Sequence, residues 1–293
     1  MLLLMSVAMI ESAVYRPHAE APAVAALQPP ISNPDFRSTP SAAADAHSAS
    51  AAPDTRARCF QVVSRGDFVP GILYTPAAAA KPAPLLLIPH GGADDPHAPL
   101  DAGVLSKWAA AGIALALIDL PLYGRRSSPK LSERLRSGVA AAAEDAPLDL
   151  DTGALVEEFS RQATSDLIRV LDAMSALPEI DTERIGFLGF GAGAVAGSYL
   201  LGHDARVKAA VLGNAGGGQG PEALDPAVYI AKASETALFF VSSKDSASPS
   251  AAAIKTLIDA APEPKQHSQY SGSASEFPPD AWDEIDAFLS KNL

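Results

Sequence analysis

From about residue 56 onward, apolar and polar positions follow two alternating periods. Cys59–Val63 alternates and, with Val69–Tyr74, predicts a β-hairpin. Pro84-Leu85-Leu86-Leu87-Ile88 is a short unbroken apolar run, the pattern of a strand covered on both faces. Ile113–Ile118 and Ala237–Val241 repeat it, Arg184–Leu188 and Val207–Leu212 are further strands, and Gln266–Tyr270 closes the series. Between these runs the period is helical. Val156, Phe159, Ala163, Leu167, Val170, Leu171 and Met174 recur every three or four residues and share one face, with Pro178 as the stop. Asp101–Ala111, Ala192–Leu201 (closed by Gly202), Pro249–Ala260 and Pro279–Leu289 are further helices, the last with Trp282, Ile285 and Leu289 inward. Ser127–Asp151 is less regular and leaves room for a lid-like insertion. Strands alternating with helices predict an α/β domain, a mostly parallel central sheet with helices on both faces.

Upstream the periodicity stops. Residues from Arg16 to Pro53 are rich in Ala, Pro and Ser, a composition that cannot bury enough apolar surface to offset its ordering entropy. Residues 1–55 are therefore expected to form a disordered tail and residues 56–293 the folded domain. The first ten residues, MLLLMSVAMI, are apolar but too few to cross a bilayer, which takes about 20. Residues 1–13 have the length of a signal segment, yet no Lys or Arg precedes the apolar run and Ser12-Ala13 is a poor cleavage site. The expectation is a cytoplasmic protein with no integral membrane span, with export as the alternative. A formal net charge of −12 speaks against a basic face for nucleic acid. Cys59 is the single cysteine, so no intramolecular disulfide and no thiolate metal site can form.

Most of the chemical information lies at Ile185–Gly197, which reads I-G-F-L-G-F-G-A-G-A-V-A-G across a strand, a sharp turn and a helix. This segment resembles the α/β-hydrolase family, especially its dienelactone-hydrolase-like and acyl-peptidase-like branches, which place G-x-S-x-G at that turn. Here the motif is Gly189-Phe190-Gly191-Ala192-Gly193, so Gly191 stands at the nucleophile position. Glycine has no oxygen to attack a carbonyl, and it adopts the turn's strained backbone without a steric penalty. The resemblance runs over about residues 57–293 and implies the α/β-hydrolase fold. His90-Gly91-Gly92 matches the family's H-G-G-like turn, which would supply one oxyanion-hole N–H near Gly92, with the second at Ala192. Asp119-Leu-Pro-Leu-Tyr-Gly-Arg-Arg126 resembles the D-x-P-x-H-G-x-R loop that borders the pocket, with Tyr123 where several members carry His. Asp245, after the Ala237–Val241 strand, fits the relay acid, and equally a turn aspartate. The histidine should follow the last strand near a glycine. Gly272 matches, but Ala274 stands at the base position, and His267 lies several residues early, inside the strand.

Two of three triad positions thus lack their chemistry, and a base without a nucleophile has no role in acyl transfer. Gly191-Ala-Gly-Ala-Val-Ala196 also fits G-x-G-x-x-A, a dinucleotide fingerprint. That reading wants an acidic residue about 20 positions on, and Val207–Leu212 ends instead in Gly213-Asn214-Ala215. No cofactor is expected. His90 and His97 with Asp94 and Asp95 are more simply a solvated loop than a metal site, which needs three or four converging ligands. The leading reading is a catalytically defective hydrolase-family protein whose pocket takes a small carbonyl or carboxylate ligand. The alternatives are an active carboxylic-ester hydrolase with a non-standard nucleophile, such as Ser127 or Ser128, or a non-standard base, and a partner-binding protein acting through residues 127–151. Oligomeric state stays open.

Overall fold

A computed structural model describes residues 35–36, 55–76, 82–90, 102–143, 148–219, 222–245, 249–272 and 277–293. Its strands are β1 (Asp35–Phe36), β2 (Thr55–Ser64), β3 (Asp67–Pro76), β4 (Ala83–His90), β5 (Ala114–Asp119), β6 (Ile180–Phe190), β7 (Val207–Gly213), β8 (Ala237–Ser243) and β9 (Lys265–Tyr270). Its helices are α1 (Ala102–Ala110), α2 (Pro129–Ala143), α3 (Leu150–Ser175), α4 (Ala192–Leu201), α5 (Pro226–Ile230), α6 (Ala251–Ala260) and α7 (Pro279–Asn292). Among the described residues these strands form one sheet in the order β1-β2-β3-β5-β4-β6-β7-β8-β9. The hairpin edge is antiparallel through the β3–β5 pair, and everything from β5 to β9 is parallel.

The unbroken apolar runs work as expected. Leu85 and Leu87 face one core, with α2 to α6, while Leu86 and Ile88 face the other, with α1 and α7. A strand buried on both sides has no polar face, so alternation is missing from its sequence. The 26-residue α3 presents its predicted stripe, Val156 through Met174, to the first core. Its N-terminus is capped by Asp149, whose carboxylate accepts from Thr152 N at 2.9 Å and from Thr152 Oγ1 at 2.7 Å. Those bonds, with Arg134 beside them, pull the carboxyl down to about 2.

Two expectations change. Ser127–Asp151 is not irregular throughout, since Pro129–Ala143 is a 15-residue helix. Of its apolar residues Leu135 is buried but Leu131 is 43% exposed, so the stripe is too thin to stand out from sequence. The strand Asp35–Phe36 falls inside the segment read as tail and pairs with Gln61 and Phe60. Among the described residues no helix is long and apolar enough to cross a membrane.

Candidate functional site

β6 runs in the middle of the parallel sheet between β4 and β7, and its C-terminal end turns directly into α4 at Gly191. The Gly191 N–H donates to Gly213 O at 2.9 Å, tying the turn to β7, and its carbonyl accepts from Val195 N at 3.0 Å, opening the helix. Gly191 has φ +51° and ψ −118°, a conformation that residues with side chains rarely adopt. The two flanking glycines are required by space. A Cβ on Gly189 would lie 2.7 Å from the main chain of Gly193, and one on Gly193 would lie 3.0 Å from Pro89 O. Among the described residues, a Cβ on Gly191 itself would meet nothing within 4 Å. The turn is therefore closed tightly at its shoulders, and no described residue crowds its apex. Ala192 begins α4, where first-turn N–H groups have no partner within the helix and carry the positive end of its dipole.

β4 ends at His90, with Pro89 against the elbow. The His90 side chain, Gly91 and Gly92 lie outside the described residues, as does Ala274, so the second oxyanion donor and the base position are not placed. His97, Asp94 and Asp95 lie outside them too. Among the described residues no cluster of three or more metal-ligating side chains forms.

The loop after β5 is held by charge. Asp119 is 1% exposed and accepts from Arg125 N at 3.1 Å and from Arg125 Nε at 2.6 Å. Arg126 reaches back to Asp119 O (3.1 Å), across to Asp166 on α3 (2.6 Å) and out to Asp67 on the hairpin (2.7 Å). Burial pushes the Asp166 carboxyl above its ordinary range, while Arg126 pulls against it. Tyr123 is buried, its ring 5.9 Å from that of Phe159, and burial pushes its phenol up.

Asp245 follows β8 and its carboxylate accepts from Gly272 N at 2.7 Å. The Ser243 hydroxyl donates to Gly272 O and accepts from Asp245 N. Ser243 N donates to the side chain of Asn214, a buried residue with φ +51° at the end of β7. The C-terminal ends of β7, β8 and β9 are thus cross-tied, and both main-chain groups of Gly272 are held two residues before Ala274. Replacing Asp245 by Ala removes one partly solvated, charge-assisted bond, with an expected cost of about 1 kcal/mol. Chemical denaturation of the variant beside the parent checks this, and an unchanged midpoint would mean the clip contributes nothing.

His267 sits within β9 opposite Phe240, with its Nε2 2.8 Å from Ser242 Oγ, and burial lowers its imidazole pKa. Ser242 is 1% exposed, so its hydroxyl is closed to a substrate, while His267 lies on the exposed face of β9. Ser128 is engaged with Ser132 at the start of α2, its N–H donating to Ser132 Oγ at 2.9 Å. Sequence reasoning missed Asn214 and the aromatic group beside the elbow. The Phe190 ring packs on Phe277 (5.2 Å) and Trp282 (5.7 Å) and over the bare backbone of Gly213. The signal for that group was the Phe190-Gly191 pair and the side-chain-free Gly213 facing it.

No protein-family model and no curated protein matches the chain. Solved structures do. A cold-adapted esterase from an Arctic intertidal metagenomic library superposes with a TM-score of 0.63 at 19% identity, over 82% of this chain and 95% of that one. An acetyl xylan esterase from Paenibacillus sp. R4 gives 0.68 at 16% identity, over 98% and 94%. A dienelactone hydrolase candidate from Klebsiella pneumoniae gives 0.62 at 17% identity, over 81% and 99%. Identities this low carry the fold and not the chemistry. With the parallel sheet, the strand-to-helix elbow at Gly191 and these superpositions together, the chain has the α/β-hydrolase fold.

Proposed function

We propose that this chain does not carry out Ser-His-Asp acyl transfer and that its elbow serves instead as a binding site for a small carboxylate or carbonyl compound. The observation that carries the reading is Gly191, which occupies the apex of the elbow, where no described residue lies within 4 Å of the place a side chain would start. Acyl transfer needs a nucleophile positioned beside a base, and neither residue type stands at its expected position. The binding half rests on the groups that remain. The first-turn N–H groups of α4 are backbone, so loss of a side chain leaves them in place, and the dipole of the helix favours a partial or full negative charge there. Asp245, engaged with Gly272, serves the fold rather than a relay.

The test is turnover of short activated acyl esters by the purified chain. The expected rate equals that of the buffer. Sustained turnover that scales with enzyme and survives active-site titration controls would overturn the reading, and would move attention to Ser127 and Ser128. Binding is checked separately by calorimetry with butyrate, whose saturation the Gly191→Ser variant should weaken because the new side chain enters the same space. Heat no larger than that of sodium chloride would remove the ligand half of the proposal.

A further inference from the structure

Among the described residues the sheet ends in β9, which pairs with β8 alone. Leu238 N donates to Pro264 O at 3.0 Å and Lys244 N to Tyr270 O at 2.8 Å, one at each end of that ladder. Main-chain groups turn to alternate sides along a strand. Gln266 and Ser268 therefore also direct theirs to β8, while Lys265, His267 and Gln269 direct theirs to the free edge. Lys265 N donates to the carboxylate of Glu263 at 2.9 Å. The N–H and C=O of His267 and Gln269, and the C=O of Lys265, have no partner among the described residues.

An open edge is a template for another strand, and proteins blunt it with charge, proline, a bulge or brevity. The opposite edge of the sheet is blunted in the last way, since β1 has two residues. β9 has six, none of them proline, and its ladder with β8 runs without a register shift. Its one charged residue is Lys265, whose ammonium is bonded back to Ile258 O (2.8 Å) and Ala261 O (2.6 Å) and does not shield the edge. Gln266, His267 and Gln269 are exposed. Peptides bound at a sheet edge are selected by pockets for alternate side chains, and exposed polar residues provide no such anchor.

The outward groups instead fit a copy of themselves, because they are arranged symmetrically about His267. A two-fold axis normal to the sheet sets β9 antiparallel to its own copy and keeps every side chain on its original face. His267 then exchanges both of its main-chain bonds with the second copy's His267. Gln269 N donates to O of the second copy's Lys265, and the reverse bond forms across the axis. The bond from Lys265 N to Glu263 stays intact. We propose that this chain forms a two-fold dimer in which β9 pairs antiparallel with β9 of a second copy, joining two sheets into one. The charge of −12 on each copy opposes association, so the dimer tightens as salt screens it. The proposal does not depend on what the elbow does.

The test is sedimentation velocity of the full chain over a concentration series at physiological ionic strength. The parent is expected to shift from one chain mass toward two with a dissociation constant on the order of 100 µM, as a small polar interface gives. Gln269→Pro removes an outward N–H that the single chain does not use, at a place where an edge strand tolerates proline. It should leave the chain monomeric at every concentration, with a denaturation midpoint close to the parent's. Gln269 and the second copy's Lys265 face each other on the same side of the joined sheet. Gln269→Glu should therefore tighten the dimer about fivefold and Gln269→Lys loosen it about fivefold. The tightening is a gain that local damage does not produce. One chain mass throughout, a dimer that Gln269→Pro leaves in place, or the same effect from Gln269→Glu and Gln269→Lys would each overturn the proposal.

Discussion

The double variant Gly191→Ser/Ala274→His is expected to hydrolyse short activated acyl esters at a rate about 10² above buffer, while Gly191→Ser alone stays within a few-fold of it. A hydroxyl without a base is a weak nucleophile, and a positioned base is worth about 10²–10⁴. No described residue stands in the way, because among them a Cβ on Gly191 would touch nothing within 4 Å. The start of the loop bearing residue 274 is fixed as well, through Asp245 and Ser243 on Gly272. The serine should cost about 1–3 kcal/mol of stability, since φ at this position is +51° and only glycine adopts it freely. Stopped assays with p-nitrophenyl acetate and a denaturation curve for each variant check both halves. A folded double variant that stays at the buffer rate would show that the elbow no longer faces a usable pocket.

Arg126→Met should be the most damaging single substitution outside the hydrophobic cores. The Arg126 side chain is 8% exposed and that of Asp166 is 0% exposed, so removing the guanidinium leaves a carboxylate buried without its counter-ion. Breaking such a pair costs about 3–5 kcal/mol, or about 10 °C in Tm for a domain of this size. The loss should depend on pH. Without Arg126, burial raises the folded-state pKa of Asp166 well above its unfolded value. A carboxyl raised in this way favours the folded state below the unfolded pKa, and that advantage disappears as pH rises through the folded value. The variant should therefore lie nearer to the parent at pH 5 than at pH 7. Adding Asp166→Asn should recover part of the loss at pH 7 by removing the buried charge. Urea midpoints at the two pH values test this, and a loss below about 1 kcal/mol with no pH dependence would mean that the pair is solvated.

What could be read from sequence follows from the range of the interactions. The parallel strands were legible because Leu85–Ile88 and its counterparts are buried on both faces and leave uninterrupted apolar runs. The elbow was legible because Gly189 and Gly193 mark, two residues to either side, where strand and helix backbones must touch. By contrast, Arg126 finds its partners 40 and 59 positions away, and no local pattern announces them. Asp245 was ambiguous for a different reason. An aspartate after a strand has the same appearance whether it serves a relay or a loop, and its bond to Gly272 N joins residues 27 positions apart, which no local pattern announces.

The elbow is also a joint in the architecture. Gly191 bonds to β7, Gly193 bears on the end of β4, and Gly189 lets α4 lie against β6, so one turn fastens three adjacent strands and a helix. Selection for folding alone is enough to preserve such a joint. The glycines around a nucleophile position can therefore persist as a mark of construction in chains whose chemistry has gone, and their presence in a sequence is evidence for a shape before it is evidence for a reaction.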